Sequence, residues 1–127
     1  MRILGIDYGK KRVGIALTDE EGKFALPKAV ISAGPDLADE IEELAKKSKV
    51  KKIVIGESRD YGGRENPLIA DIHILERQLK EKGFEVILEE EYSSSVEASR
   101  FQGKNERHDA SAAAIILQRF LEKNGSR

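Results

Sequence analysis

Residues 1–19, MRILGIDYGKKRVGIALTD, constrain the fold more than any other stretch of the chain. Two apolar runs, Ile3 to Ile6 and Val13 to Leu17, flank the basic turn Tyr8-Gly9-Lys10-Lys11-Arg12. Short aliphatic and β-branched runs about a glycine-bearing loop read as a β-hairpin. Runs this apolar on both faces belong to strands central in a covered sheet. The first run ends in Asp7. A carboxylate at the end of a buried strand is costly unless something cationic compensates it, and a metal ion would. A turn cap made by the Asp7 side chain is the competing role.

The hairpin sits in a chain of 127 residues. That length predicts one domain, spanning 1–127, with a core of its own. Hydrophobic residues at 39% and charged residues at 35% fit a folded globular chain and exclude a disordered one. No apolar stretch is long enough to span a bilayer. The N-terminus lacks a signal-peptide pattern, and cysteine is absent, which excludes disulfides and thiolate metal sites. A cytoplasmic location is therefore expected. The formal net charge of -1 argues against coating nucleic acid through bulk electrostatics. It leaves room for local basic patches, of which Lys10-Lys11-Arg12 and Lys104 to His108 adjoin candidate carboxylates.

Downstream, Asp19 to Lys23 is a polar turn, and Phe24 to Ile31 is a third strand whose Pro27 marks it as an edge. Leu37, Ile41, Leu44 and Ala45 recur at helical spacing over Pro35 to Ser48. Lys52 to Gly56 is a fourth strand, followed by the polar loop Gly56 to Arg64. Pro67 suits a first helical turn. Leu68, Ile72, Leu75 and Leu79 mark a second helix that stops at Gly83, and Phe84 to Leu88 is a fifth strand. Ser94 and Glu97 fit a capping box for a short helix ending near Gly103. Asp109 opens a last helix, to about Lys123, whose Asp109, Ala113, Ile116 and Phe120 form one stripe. The small residues Ala110 to Ala114 let this helix approach a sheet closely. Three strands in a meander, followed by strands reached through helices, predict an α/β fold. It has a mixed five-stranded sheet with helices on both faces, the ribonuclease-H-like plan. The same βα succession resembles half of an actin or sugar-kinase fold.

Three acids could converge at one end of such a sheet. Asp7 ends the first strand, Glu91 lies just past the fifth, and Asp109 starts the last helix. Carboxylates on separate elements repel one another unless a divalent cation binds. Hard oxygen donors without cysteine or a histidine pair point to Mg²⁺ or Mn²⁺. Two such ions, about 3.5–4 Å apart, activate water and stabilise the leaving oxygen of a phosphodiester. His73 and His108 lack the spacing of a zinc site. Each acid also has a simpler role: Glu91 belongs to the solvated-looking run Glu89 to Glu91, and Asp109 suits a helix N-cap. Glu57, which also follows a strand, is a weaker fourth candidate and is expected to face solvent; Asp19 and Asp60 read as turn residues. Lys10, Lys11 and Arg12, beside Asp7, are the candidate phosphate contacts. The Gly56 to Arg64 loop lacks a Walker or dinucleotide pattern.

IDYGKKRVGIALTD resembles the opening signature of the YqgF family of bacterial pre-16S rRNA nucleases, RuvC-like proteins also described as Holliday junction resolvases. Ile53 to Pro67 resembles the family's fourth strand and loop. Glu90 to Ala98 is similar to its Asp-Glu-Arg…Ser/Thr…Glu-Ala segment, and Asp109 to Ala113 to its late Asp-x-x-Ala-Ala helix. The four blocks span nearly the whole chain. The resemblance implies a ribonuclease-H-like fold and metal-dependent phosphodiester cleavage. Its acids fall on Asp7, Glu91 and Asp109, and its implied role is 16S rRNA 5′-end maturation in ribosome biogenesis. Two positions depart from the pattern: Tyr92 replaces an Arg, and Glu57-Ser58 replaces Leu-Pro.

The expected activity is a Mg²⁺- or Mn²⁺-dependent endonuclease acting on structured RNA. Asp7, Glu91 and Asp109 hold metal, and Lys11 and Arg12 position phosphate. The alternatives are resolution of branched DNA and a non-catalytic RNA-binding assembly factor. Resolving a junction symmetrically favours a homodimer over a monomer. ATP binding is a third alternative, disfavoured by the lack of a second lobe.

Overall fold

The computed structural model describes residues 2–59, 68–92 and 106–124, with 58, 59, 90–92, 106–109 and 124 described by their backbone. Eight elements follow in order: β1 (Ile3–Tyr8), β2 (Arg12–Thr18), β3 (Ala25–Ser32), α1 (Leu37–Lys47), β4 (Lys52–Arg59), α2 (Ile69–Glu81), β5 (Glu85–Tyr92) and α3 (Glu106–Asn124). The strands form one sheet in the order β3-β2-β1-β4-β5. β1, β2 and β3 are antiparallel neighbours, whereas β4 is parallel to both β1 and β5.

This sheet is the expected mixed one. The opening hairpin forms with Tyr8 opposite Val13, and β1 is the central strand. Pro27 sits on the edge strand β3, where a missing N–H leaves no ladder bond to a further strand unmade. The pairing slips beside it: Ile15 faces Ala29 but Ala16 faces Pro27, so Lys28 is bulged out. At the other end of the hairpin Thr18 is buried, and its Oγ1 accepts the Ile3 N–H at 2.8 Å.

The strand alternation divides the core in two. Leu4, Ile6, Ile15, Ile53 and Ile55 pack with Ile41 of α1 and Ile72, Leu75 and Leu79 of α2. Ile3, Ala16 and Val54 face the other way, against Ala113, Ile116, Leu117 and Phe120 of α3. The small-residue stretch of α3 meets glycine on the sheet. A Cβ on Gly5 would stand 2.8 Å from Leu117 Cβ and 3.3 Å from the Ala113 carbonyl oxygen, and one on Gly56 would stand 2.5 Å from Ile116 Cδ1.

Several boundaries differ from expectation. β4 and β5 do not stop at Gly56 and Leu88. They continue together through the pairs Gly56↔Glu89, Glu57↔Glu90, Ser58↔Glu91 and Arg59↔Tyr92. Ladder hydrogen bonds between neighbours sustain the strands after the apolar pattern has ended. Glu91 therefore lies inside β5, not just past it. The last helix starts at Glu106, so Asp109 is its fourth residue rather than its cap. α1 begins at Leu37, two residues after the expected Pro35. The expected helix after Ser94, Pro67 and Asp60 lie outside the described residues. No helix among the described residues is long and apolar enough to cross a membrane.

Candidate active site

Asp7 is the penultimate residue of β1, partly buried and opposite Gly14. Its alternation with Ile3 and Gly5 puts it on the α3 face of the sheet. The direction of α3 follows from its contacts. Ile116 covers Gly56, whereas the Phe120 ring lies 5.9 Å from Lys52 Nζ at the start of the same strand. Gln118 Oε1 accepts the Ala25 N–H at 3.0 Å, again at the end of the sheet where β1 begins. α3 thus runs antiparallel to β1 and β4, and its first turns stand over their C-terminal ends. From the Gly5 contact at Ala113, one turn back along the helix is about 6 Å, and two residues on along β1 is about 7 Å. These equal steps bring the backbones of Asp109 and Asp7 to the same end and face.

Glu91 is farther off. Ile6 pairs with Ile55 and Gly56 with Glu89, so Asp7 is level with Glu89. Glu91 lies two residues beyond that level and two strands across, which separates its backbone from that of Asp7 by about 12 Å. The side chains of Glu91 and Asp109 lie outside the described residues. Among the described residues no group of three or more His, Asp or Glu side chains is placed to hold a metal ion.

The basic turn is at the same end. Gly9 lets it close, since a Cβ there would stand 2.4 Å from the Arg12 carbonyl oxygen. The Lys11 carbonyl accepts the Ala33 N–H at 2.9 Å, tying the turn to the end of β3. Lys10, Lys11 and Arg12 are exposed.

Two acids behave differently from expectation. Glu89 is buried, and its Oε2 accepts from Lys123 Nζ at 2.7 Å. The run Glu89 to Glu91 looks uniformly solvated only if the strand has ended. Continuing the alternation of β5 through it would have singled out Glu89. Glu57 does not face solvent; it is 6% exposed, with Oε2 3.4 Å from His73 Nε2 on α2. His73 is half exposed, as a surface helix residue should be, but its Nδ1 also lies 3.3 Å from Glu76 Oε1. Burial would raise the Glu76 carboxyl. The hydrogen bonds from Lys80 and His73 outweigh it and hold the group below its ordinary value. Tyr8, beside this cluster, has its phenol raised by burial and by the Asp71 charge.

A model of the RuvX family, described as Holliday junction resolvase, matches residues 1–123. The chain belongs to that family. A Xanthomonas oryzae pv. oryzae protein described as a candidate pre-16S rRNA nuclease is 34% identical to this RuvX-family chain over 134 residues, covering 94% of the chain and 86% of its own. A Chlorobium luteolum protein of the same description is 34% identical over 135 residues, covering 97% and 95%. Among solved structures, Thermus thermophilus RuvC in complex with Holliday junction substrate gives a TM-score of 0.60 at 16% identity, covering 99% of this chain and 97% of that one. The fowlpox virus Holliday junction resolvase gives 0.59 at 15%, covering 97% and 99%. These two likenesses show the ribonuclease-H-like fold. Family membership makes the chain a nuclease, a hydrolase of nucleic-acid phosphodiester bonds.

Proposed function

We propose that this RuvX-family chain is a Mg²⁺- or Mn²⁺-dependent endonuclease that matures the 5′ end of pre-16S rRNA in the cytoplasm. The observation that carries the reading is the delivery of α3 onto β1. Gly5 and Ala113 seat the helix so that Asp109 arrives over the strand end bearing Asp7. The descriptions of the Xanthomonas and Chlorobium relatives support the RNA substrate.

Asp7, Asp109 and Glu91 are all oxygen donors, which suits a hard divalent cation and no softer one. They are the residues that would hold it. When bound, such ions make water nucleophilic at neutral pH and offset the charge on the leaving oxygen. Lys11 and Arg12 bind the substrate phosphates and orient the strand. Their positive charge gathers a polyanion to a chain whose net charge, -1, does not. Asp7 stands on the central strand of the sheet, and the backbone of Asp109 on the helix packed over it.

The test is cleavage of a precursor-rRNA fragment with Mg²⁺, compared between the native chain and Asp7→Asn. The substitution is expected to abolish cleavage while leaving circular dichroism unchanged. Unchanged cleavage would remove Asp7 from the site, and no cleavage by the native chain would leave a non-catalytic RNA-binding role. The family's description favours a second reading, cutting of branched DNA. A DNA four-way junction assayed beside the RNA separates the two, and a homodimer would accompany symmetric junction cutting.

A further inference from the structure

The last four residues of β4 and β5 pair with each other past the point where the β1–β4 ladder ends. β1 pairs with β4 only as far as Ile6↔Ile55, whereas β4 and β5 pair on to Arg59↔Tyr92. A two-stranded ribbon is marginal in water unless something packs against it. This ribbon carries Glu91 opposite Ser58, so whatever holds it decides where Glu91 stands.

Glu57 is the hold on the α2 face. It is the first ribbon residue on that face after Ile55, and it is buried with its carboxylate against the His73 imidazole. His73 is itself braced. Its other ring nitrogen meets Glu76, and Glu76 Oε2 takes Lys80 Nζ at 2.9 Å one turn on. Beneath this row Ile72, Leu75 and Leu79 root α2 in the core. A rigid helix therefore grips the ribbon one residue before Ser58. Stability alone does not ask for this, because an apolar side chain fills such a buried position at lower cost than a carboxylate and its partner. What a carboxylate adds is a polar contact, at 3.4 Å, with one imidazole on α2.

We infer that Glu57 and His73 form a clasp that fixes the β4–β5 ribbon and thereby positions Glu91 for cleavage. They are positioning residues and touch no substrate. The inference rests on the reading of Glu91 as a metal-holding acid.

The test has two arms. In the first, kcat and KM for Mg²⁺-dependent cleavage are measured for the native chain, His73→Ala and His73→Gln. The glutamine amide can donate to Glu57 from near the Nε2 position. His73 is half exposed, so both variants should fold. Alanine is expected to lower kcat at least tenfold with KM within twofold, and glutamine to return kcat to within threefold. Native kcat in His73→Ala, or a loss that glutamine does not recover, overturns the positioning role. In the second arm, amide hydrogen exchange is followed at 57–59 and 90–92. Alanine is expected to speed exchange there at least tenfold while Leu4 and Ile6 are unchanged, and equal exchange overturns the clasp. The exchange arm does not depend on activity. If the native chain cut neither RNA nor junction, the nuclease assignment of Glu91 would fail, and exchange alone would still decide the clasp.

Discussion

Gly5 and Gly56 set how near α3 comes to the sheet, and the two differ in what an added methyl would strike. At Gly5 the obstacle is Leu117 Cβ, 2.8 Å away, with the Ala113 carbonyl oxygen at 3.3 Å. Neither can swing aside without moving the helix. Gly5→Ala is expected to cost about 1–3 kcal/mol, the range for overpacking a filled core, read as a lower urea midpoint. It should also depress cleavage by lifting Asp109 from Asp7. At Gly56 the obstacle is the far end of Ile116, 2.5 Å from the added Cβ. Gly56→Ala should cost less, and Ile116→Val, which deletes that Cδ1, should recover much of the loss in a double-mutant cycle. Additive losses would show that the contact does not matter. The sequence exposed half of this interface. The small residues Ala110 to Ala114 announced a close approach, but nothing marked the two glycines as its floor. Asp7 was legible because a charge closing an apolar run stands out. Glu89 was not, because it sits among like charges.

The elements were legible wherever one face is apolar, and lost where pairing alone sustains them. Pro27 announced the edge strand β3, and the Gly-bearing turn announced the first hairpin. The far ends of β4 and β5 carry Glu57, Glu89 and Glu91, so no hydrophobic alternation reports them. The start of α3 at Glu106 was hidden for the same reason, since its first turn carries Glu106, Arg107 and His108. The turn from β2 to β3 was readable because Asp19 is a turn-former. Its Oδ1 accepts the Lys23 and Phe24 N–H groups at 2.8 and 3.2 Å. These backbone donors hold its carboxyl below the ordinary value of 3.8. A group depressed in the folded state contributes stability above its unfolded pKa and loses it as pH falls through the folded one. Asp19→Ala should therefore lower the urea midpoint at neutral pH. As pH falls through the lowered folded pKa, variant and native chain should converge as the carboxylate is protonated. A constant gap across that range would mean that the hydrogen bonds to the ionised form contribute nothing.

At the scale of the molecule, one end of the sheet gathers acids from elements far apart in sequence, while the net charge is only -1. The element order, a meander followed by helix-linked strands, was enough to foresee that the backbones of Asp7 and Asp109 share one end of the sheet. It could not foresee the separation between Asp7 and Glu91, which depends on how far β5 runs. The proposed site has a thermodynamic consequence. Like charges brought together there from β1 and α3 would repel in the absence of a cation, and a cation that binds only the folded arrangement adds RT ln(1 + [L]/Kd) to stability. At a hundredfold excess over Kd that is about 2.7 kcal/mol, which for a chain of this size raises Tm by roughly 10 °C. Mn²⁺ or Mg²⁺ added to chelator-treated protein should therefore raise Tm in calorimetry, saturably and reversibly with EDTA. Asp7→Asn removes one charge from the cluster. Without metal its Tm should equal or exceed that of the native chain, and added metal should no longer raise it. Asn at position 7 with an undiminished metal response would put the cation elsewhere on the surface and remove Asp7 from the site.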